Sequence, residues 1–156
     1  MKQPSSETCS AQPSVNVSAR QASLDALCDS EHSGCIMCGA ANPLGLQLKF
    51  KVRPDGSVVA MFPCNEVFQG YPNTIHGGVV SALLDAAMAH ALFSHGEVCL
   101  TAELEVKFLA PVVVNCGAVV RGFVEKDAYP LFYTAAEFKQ DRNIVAYAKA
   151  KFMIRD

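Results

Sequence analysis

Hydrophobic side chains recur along this chain in two rhythms. From Ile75 to Phe93 they fall on every side of a helical projection. Val79, Val80, Ala82, Leu83, Leu84, Ala86, Ala87, Met88, Ala89, Ala91, Leu92 and Phe93 leave no polar face. A helix with that pattern is buried all round. It is too short, and too marked by polar residues, to read as a membrane span. Elsewhere the period is two. Leu48, Phe50 and Val52 alternate with Lys49, Lys51 and Arg53, Pro54-Asp55-Gly56 turns the chain, and Val58–Phe62 returns as the second arm of a hairpin over 46–62. After the helix, Leu104, Val106 and Phe108 alternate with Glu103, Glu105 and Lys107 within a strand over 101–110. Two more strands, over 118–126 and 131–139, flank Asp127-Ala128-Tyr129-Pro130. A turn at Gln140-Asp141-Arg142-Asn143 then leads into a last strand over 144–154.

The predicted order is therefore two strands, one long apolar helix, then four strands. Strands joined by short turns pair antiparallel, and a single helix covers a large sheet only if the sheet curls around it. This is an α+β domain with a curled antiparallel sheet and exposed edges, which pairing with a second copy would close. Residues 1–20, rich in Ser, Pro, Gln and Asn, read as a disordered tail, and 21–156 as one domain. A short helix capped by Ser23 is expected from there to about Asp29, with Leu24 and Leu27 on it.

Composition narrows the function. In 156 residues, 51% hydrophobic, a sizeable core forms without staples, and a net charge of −2 gives no reason to expect nucleic acid or an anionic membrane as partner. Seven cysteines, an odd number with several inside apolar runs, suit reduced thiols better than a disulfide framework. No signal peptide or transmembrane segment is read, so a cytoplasmic protein is expected. Cys28, His32, Cys35 and Cys38 are the right types for a zinc site. A lone C-x-x-C with no second pair, and with Cys28 on a separate helix, is read instead as a metal-free turn; no metal is assigned.

Chemistry concentrates on the apolar helix. Ser81, Asp85 and His90 are its only polar side chains after Gly77-Gly78. A carboxylate in the middle of such a run is costly unless it is paired or faces a cavity, and Asp85 is too far inside to cap the helix. At the helix start, unpaired N–H groups and the partial positive charge of the dipole suit an anionic oxygen. Two glycines let a ligand approach that backbone closely, or simply allow tight packing.

His76-Gly77-Gly78 followed by Ala82-Leu83-Leu84-Asp85, with Asp nine residues past the histidine, resembles the hotdog-fold acyl-CoA thioesterases of the phenylacetate-pathway (PaaI-like) type. The likeness extends to Cys38-Gly39 with Asn42-Pro43-x-Gly45-Leu46, to Phe68-Gln69-Gly70, and to Phe108-Leu109-x-Pro111, over about residues 35–155. It implies a five- or six-stranded sheet wrapped around the helix, and a homodimer, often a dimer-of-dimers tetramer, with sites at the dimer interface. It implies an acyl-CoA substrate and no cofactor beyond the coenzyme A of that substrate.

On that reading the Gly77 amide, helped by Gly78, is the oxyanion hole for the thioester oxygen. Asp85 is either the general base for water or a nucleophile forming an anhydride. His76 either bonds the substrate carbonyl or holds the helix start. The resemblance implies a Gln or Asn in the preceding loop that positions thioester or water, a role for Gln69 or Asn73, and a Ser or Thr after the helix that holds the water, here Thr101. Phe68, Tyr71, Leu84 and Met88 are candidate walls of the acyl pocket, and Lys107, Arg121 and Lys126 are available for coenzyme A phosphates. Two rivals stay open: a hotdog hydratase/dehydratase, which would use an acid–histidine pair, and a non-catalytic acyl-CoA sensor, which would keep the pocket and lose the acid. No Gly-x-Ser-x-Gly elbow or nucleotide-binding glycine motif is present.

Overall fold

A computed structural model describes residues 15–155. The strands are β1 (Lys51–Val52), β2 (Val58–Phe62), β3 (Cys99–Phe108), β4 (Ala118–Ala128), β5 (Leu131–Gln140) and β6 (Asn143–Ile154), and the helices are α1 (Val17–Glu31) and α2 (Gly77–Ser94). All strand pairs are antiparallel, in the order β1-β2-β4-β5-β6-β3. Helix α2 touches five of the six strands, β2 through β6. The sheet is therefore wrapped around it, as the two rhythms of the sequence required.

The core is the layer between helix and sheet. Leu83, Leu84, Ala87, Met88 and Ala91 of α2 are sealed against Val58, Val120, Phe138 and Ala146. The approach is closest at Gly122, where a Cβ would lie 2.2 Å from the Ala87 carbonyl oxygen. Any side chain there would push the helix off β4. The β5–β6 connection is a two-residue turn with Asp141 and Arg142 both at positive φ, +47° and +69°, whose twist matches the strands it joins. The first hairpin is shorter than its alternation suggested. Leu48 and Phe50 are buried as expected, but only Lys51 and Val52 pair with β2.

Two expectations need correction. Helix α1 begins at Val17, six residues before Ser23, so residues 17–20 of the expected tail are helical; residues 1–14 lie outside the described part. Asn16 is its cap, accepting from the Ala19 N–H at 3.0 Å, while the Ser23 hydroxyl donates to the Phe93 carbonyl of α2 at 2.9 Å. Second, α2 is not buried all round. Gly77, Gly78 and Ala82 are exposed, and Ser81, Asp85 and Ala89 are half-buried. This stripe borders β3, whose own Leu100, Leu104 and Phe108 are 60%, 38% and 52% exposed. By length and composition α2 would reach across a membrane, but here it is the core helix of the sheet.

Candidate active site

The start of α2 is set by the loop before it. The His76 N–H donates to the Phe68 carbonyl at 2.8 Å and the Gly70 N–H to that of Thr74 at 2.9 Å, so residues 68–76 fold back as a tight hairpin. Asn73 sits at its tip with φ +61°, a left-handed conformation that Asn tolerates better than most residues. Gly70 lies against the His76 ring, where a Cβ would come within 3.1 Å of Cδ2. So held, His76 is the helix cap: its Nδ1 accepts the Gly78 N–H at 2.9 Å, and its carbonyl accepts from Val79 and Val80. Of the two readings of His76, the structure shows the one that holds the helix start. Gly78 cannot also give its N–H to a substrate oxygen, which corrects its assignment as a helper in the oxyanion hole. Among the described residues the Gly77 N–H has no partner.

The Gly77 amide opens onto an apolar cleft of about 570 Å³, lined by Tyr71, Ile75, His76, Gly77, Val80 and the segment Phe108–Val112. The Phe108 ring edge lies 3.4 Å from where a Gly77 Cβ would stand. Tyr71 is at the rim, 81% exposed. Phe68 and Gly78 border a second apolar cleft of about 430 Å³, with Ile36, Leu44, Leu46 and Ala82. Met88 and Leu84 line neither cleft. Both are fully buried under the sheet, so their expected place on a pocket wall is corrected to the core.

Asp85 lies in the exposed stripe of α2, where the Thr101 hydroxyl donates to its Oδ1 at 2.9 Å. A bulge in β3 makes this contact. Thr101 is opposite Phe152 and Leu104 opposite Ala150, with the register slipping between Thr101 and Glu103. The extra residue turns Thr101 to the helix side together with Leu104 and Phe108, instead of to the charged face with Glu103 and Glu105. Burial pushes the Asp85 carboxyl above its ordinary range, and the Thr101 hydrogen bond pulls it partly back. Ser81 does not contribute, since its hydroxyl donates to the Gly77 carbonyl at 2.9 Å.

The predicted residues thus fall into two groups. His76, Gly77 and Tyr71 share the cleft, with Gln69 and Asn73 exposed in the adjoining hairpin; Asp85 and Thr101 stand apart. Eight residues of helix separate Gly77 from Asp85, about 12 Å at 1.5 Å per residue. Of the basic candidates, Arg121 is tied to Asp55 at 3.0 Å and Glu137 at 3.4 Å, Lys107 pairs with Glu105 at 3.2 Å, and Lys126 lies over the Tyr133 ring. Phe108, Leu109 and Pro111 were not assigned a site role from sequence, although their motif marked the segment that forms the cleft's far wall.

Residues 72–142 match the family model described as the Thioesterase superfamily. No functionally curated protein shows significant sequence similarity to the chain. Among solved structures, the Escherichia coli PaaI protein from the phenylacetic acid degradation operon is 16% identical with a TM-score of 0.75, over 91% of this chain and 97% of that one. A hypothetical thioesterase from Streptococcus pneumoniae, solved with coenzyme A, is 17% identical with a TM-score of 0.64, over 69% of this chain and 87% of its own. A thioesterase superfamily protein is 23% identical with a TM-score of 0.73; 78% of this chain is covered, and it spans only 60% of that longer chain. Through residues 72–142 the chain carries the signature of the thioesterase superfamily, and its fold is the hotdog fold of that superfamily's PaaI-like structures.

Proposed function

We propose that the protein is an acyl-CoA thioesterase working as a dimer, with the Gly77 amide of one copy and Asp85 of the other serving the same thioester. The observation that carries the reading is Asp85 itself, a carboxylate on an apolar helix, half-buried, with Thr101 as its hydrogen-bond partner, beside a strand, β3, that forms an edge of the sheet. Hydrolysis needs a donor at the developing oxyanion and a base or nucleophile at the carbonyl carbon, both within about 3 Å of the reacting atoms. Groups about 12 Å apart on one helix cannot both meet one carbonyl. A second copy laid against the exposed β3 edge and helix stripe brings the two groups together and covers Leu104 and Phe108.

In this arrangement the apolar clefts take the acyl group, the Gly77 N–H stabilises the oxyanion, and Asp85, held by Thr101, activates water or attacks the carbonyl. Coenzyme A bound to a structural relative supports the substrate class. A dimer of dimers and a cytoplasmic setting belong to the same reading. Hydrolysis across a panel of acyl-CoAs, short aliphatic to aryl, with release of free thiol as the readout, tests it. Turnover that disappears in Asp85→Asn is the expected result; tight binding with no turnover on any member would favour the sensor instead.

A further inference from the structure

On the α1 side of α2, a second polar group stands in the core. His90 is 1% exposed, its ring stacked on Phe50 at 4.1 Å. Its Nδ1 is 2.6 Å from the Ala86 carbonyl and donates to it, which leaves Nε2 as a lone-pair acceptor. That nitrogen is buried, with no hydrogen-bond partner among the described residues. Leaving it so is costly, and the sulfurs of Cys28 and Cys38 lie close by. The ligating atoms of Cys28, Cys38 and His90 lie within 4.8 Å of one another, and so do those of His32, Cys35 and Cys38.

The backbone is shaped around these sulfurs. Cys35 Sγ accepts the Met37 N–H at 3.4 Å, and the Gly39 N–H closes the turn on the Cys35 carbonyl at 2.9 Å. A side chain at Gly39 would collide with the turn, its Cβ 2.4 Å from both Cys35 N and the Ser33 carbonyl. Cys38 Sγ and His32 Nδ1 are 3.6 Å apart.

We propose that this cluster is a zinc site, with Cys28, Cys35, Cys38 and His90 Nε2 as its ligands and His32 donating to the Cys38 sulfur. Thiolate and imidazole are zinc's donors, and a tetrahedral ion sets them about 3.5–3.8 Å apart. Cys28, Cys38 and His90 lie within 4.8 Å of one another and Cys35 within 4.8 Å of Cys38, and rotation of the Cys35 side chain toward that trio would complete the set. Metal-bound imidazoles characteristically donate their second N–H to a carbonyl, which fixes the tautomer, as His90 does to Ala86. The expectation of a metal-free turn rested on the lone C-x-x-C and on Cys28 lying on another helix; that helix packs on α2 and delivers the thiol to Cys38. The fold also has a use for such a clip. Of the fifteen residues of α1 only Leu24 is fully buried, with Val17, Leu27 and Cys28 partly buried against the core, and the ion would tie the helix to both the turn and α2.

The test reads metal content and stability, and so does not depend on the thioesterase reading. Untagged full-length protein, purified reduced, is expected to hold close to one zinc per chain, as one four-ligand site requires. Cobalt substitution should give the sulfur-to-metal charge-transfer band of tetrahedral thiolate ligation. A strong chelator should lower the melting temperature of the wild type, and Cys28→Ser and His90→Gln should retain less than about a tenth of the metal. Folded, reduced protein with neither zinc nor a cobalt band overturns the proposal, and so does a Cys28–Cys38 disulfide in its place. Unchanged metal content in both variants overturns the ligand set. If a variant fails to fold, the cobalt and chelator measurements on the wild type decide.

Discussion

Replacing Asp85 by Asn separates chemistry from stability. The amide oxygen accepts the Thr101 hydroxyl as the carboxylate does, so the hydrogen bond at 2.9 Å survives while charge and basicity go. Loss of a general base costs about 10²–10⁴ in rate, roughly 3–5 kcal/mol in the barrier, and loss of a nucleophile costs more. Stability should move the other way. Burial raises the Asp85 carboxyl above its unfolded value, so the folded protein holds that proton to higher pH than the unfolded chain. Wild-type stability therefore falls as pH rises from the unfolded carboxylate range, near ~4, through the folded value, and Asn escapes that loss. Relief of a burdened site typically returns about 0.5–2 kcal/mol, which at about 2–4 °C per kcal/mol is a rise of a few degrees in melting temperature near neutrality. Below the unfolded range both carboxyls are protonated and the gap should close. Acyl-CoA turnover and thermal melts from acid to neutral pH, run on both proteins, check the two signs together. Full turnover in a folded Asp85→Asn, or a melting gap that does not shrink in acid, would refute the reasoning.

Three further outcomes follow from the same geometry. Thr101→Val removes the hydrogen bond that holds the Asp85 carboxyl down, so the acid limb of the kcat–pH profile should move to higher pH and kcat should fall about tenfold, the usual worth of a hydrogen bond to a charged group. Gly77→Pro deletes the unpartnered N–H at the first helical position, where proline's fixed φ is tolerated. It should cost about 10²–10³ in kcat with little change in melting temperature, while Gly77→Ala, which keeps the N–H, should retain most activity. Gln140 is buried and pins the loop before β4, accepting from the Val113 N–H and donating to the Val113 and Cys116 carbonyls at 2.9, 2.9 and 2.7 Å. Gln140→Leu strands those groups and should destabilise the fold by about 1–3 kcal/mol without altering KM, read by melts and kinetics together.

The long helix and the alternating strands were legible because burial acts on periodicity directly: α2 had to be enclosed, and one helix with six predicted strands leaves a curled sheet as the solution. Asp85 and His90 stood out for the same reason, each a polar residue in an apolar run. What surrounds them was not legible. The alternation of Leu104 with Glu103 and Glu105, carried back along the strand, puts Thr101 on the charged face; a one-residue bulge reverses that, and bulges leave little trace in composition. Met88 and Tyr71 are alike as hydrophobic candidates, but Met88 falls on the face of α2 packed under the sheet and Tyr71 on the exposed hairpin before that helix. The sulfur cluster needed helix α1 to dock, which is a contact between distant segments and not a spacing within one.

The separation of Gly77 from Asp85 has a consequence that a monomeric enzyme would not share. If each site takes its amide from one copy and its acid from the other, Asp85→Asn and Gly77→Pro are inactive for complementary reasons. A mixed dimer holds one site with both groups intact and one with both lost. Equal amounts of the two variants, allowed to exchange subunits, form about half mixed dimers, each with one good site of two, and recover about a quarter of wild-type activity. Sites contained within a single chain would recover none, because every chain carries a lesion. Unfolding and refolding the variants together, with each refolded alone as the control, makes the comparison. Recovery near a quarter places the reacting thioester between copies, whereas activity no higher than the separate variants would return both groups to one chain and leave about 12 Å of helix between them unexplained.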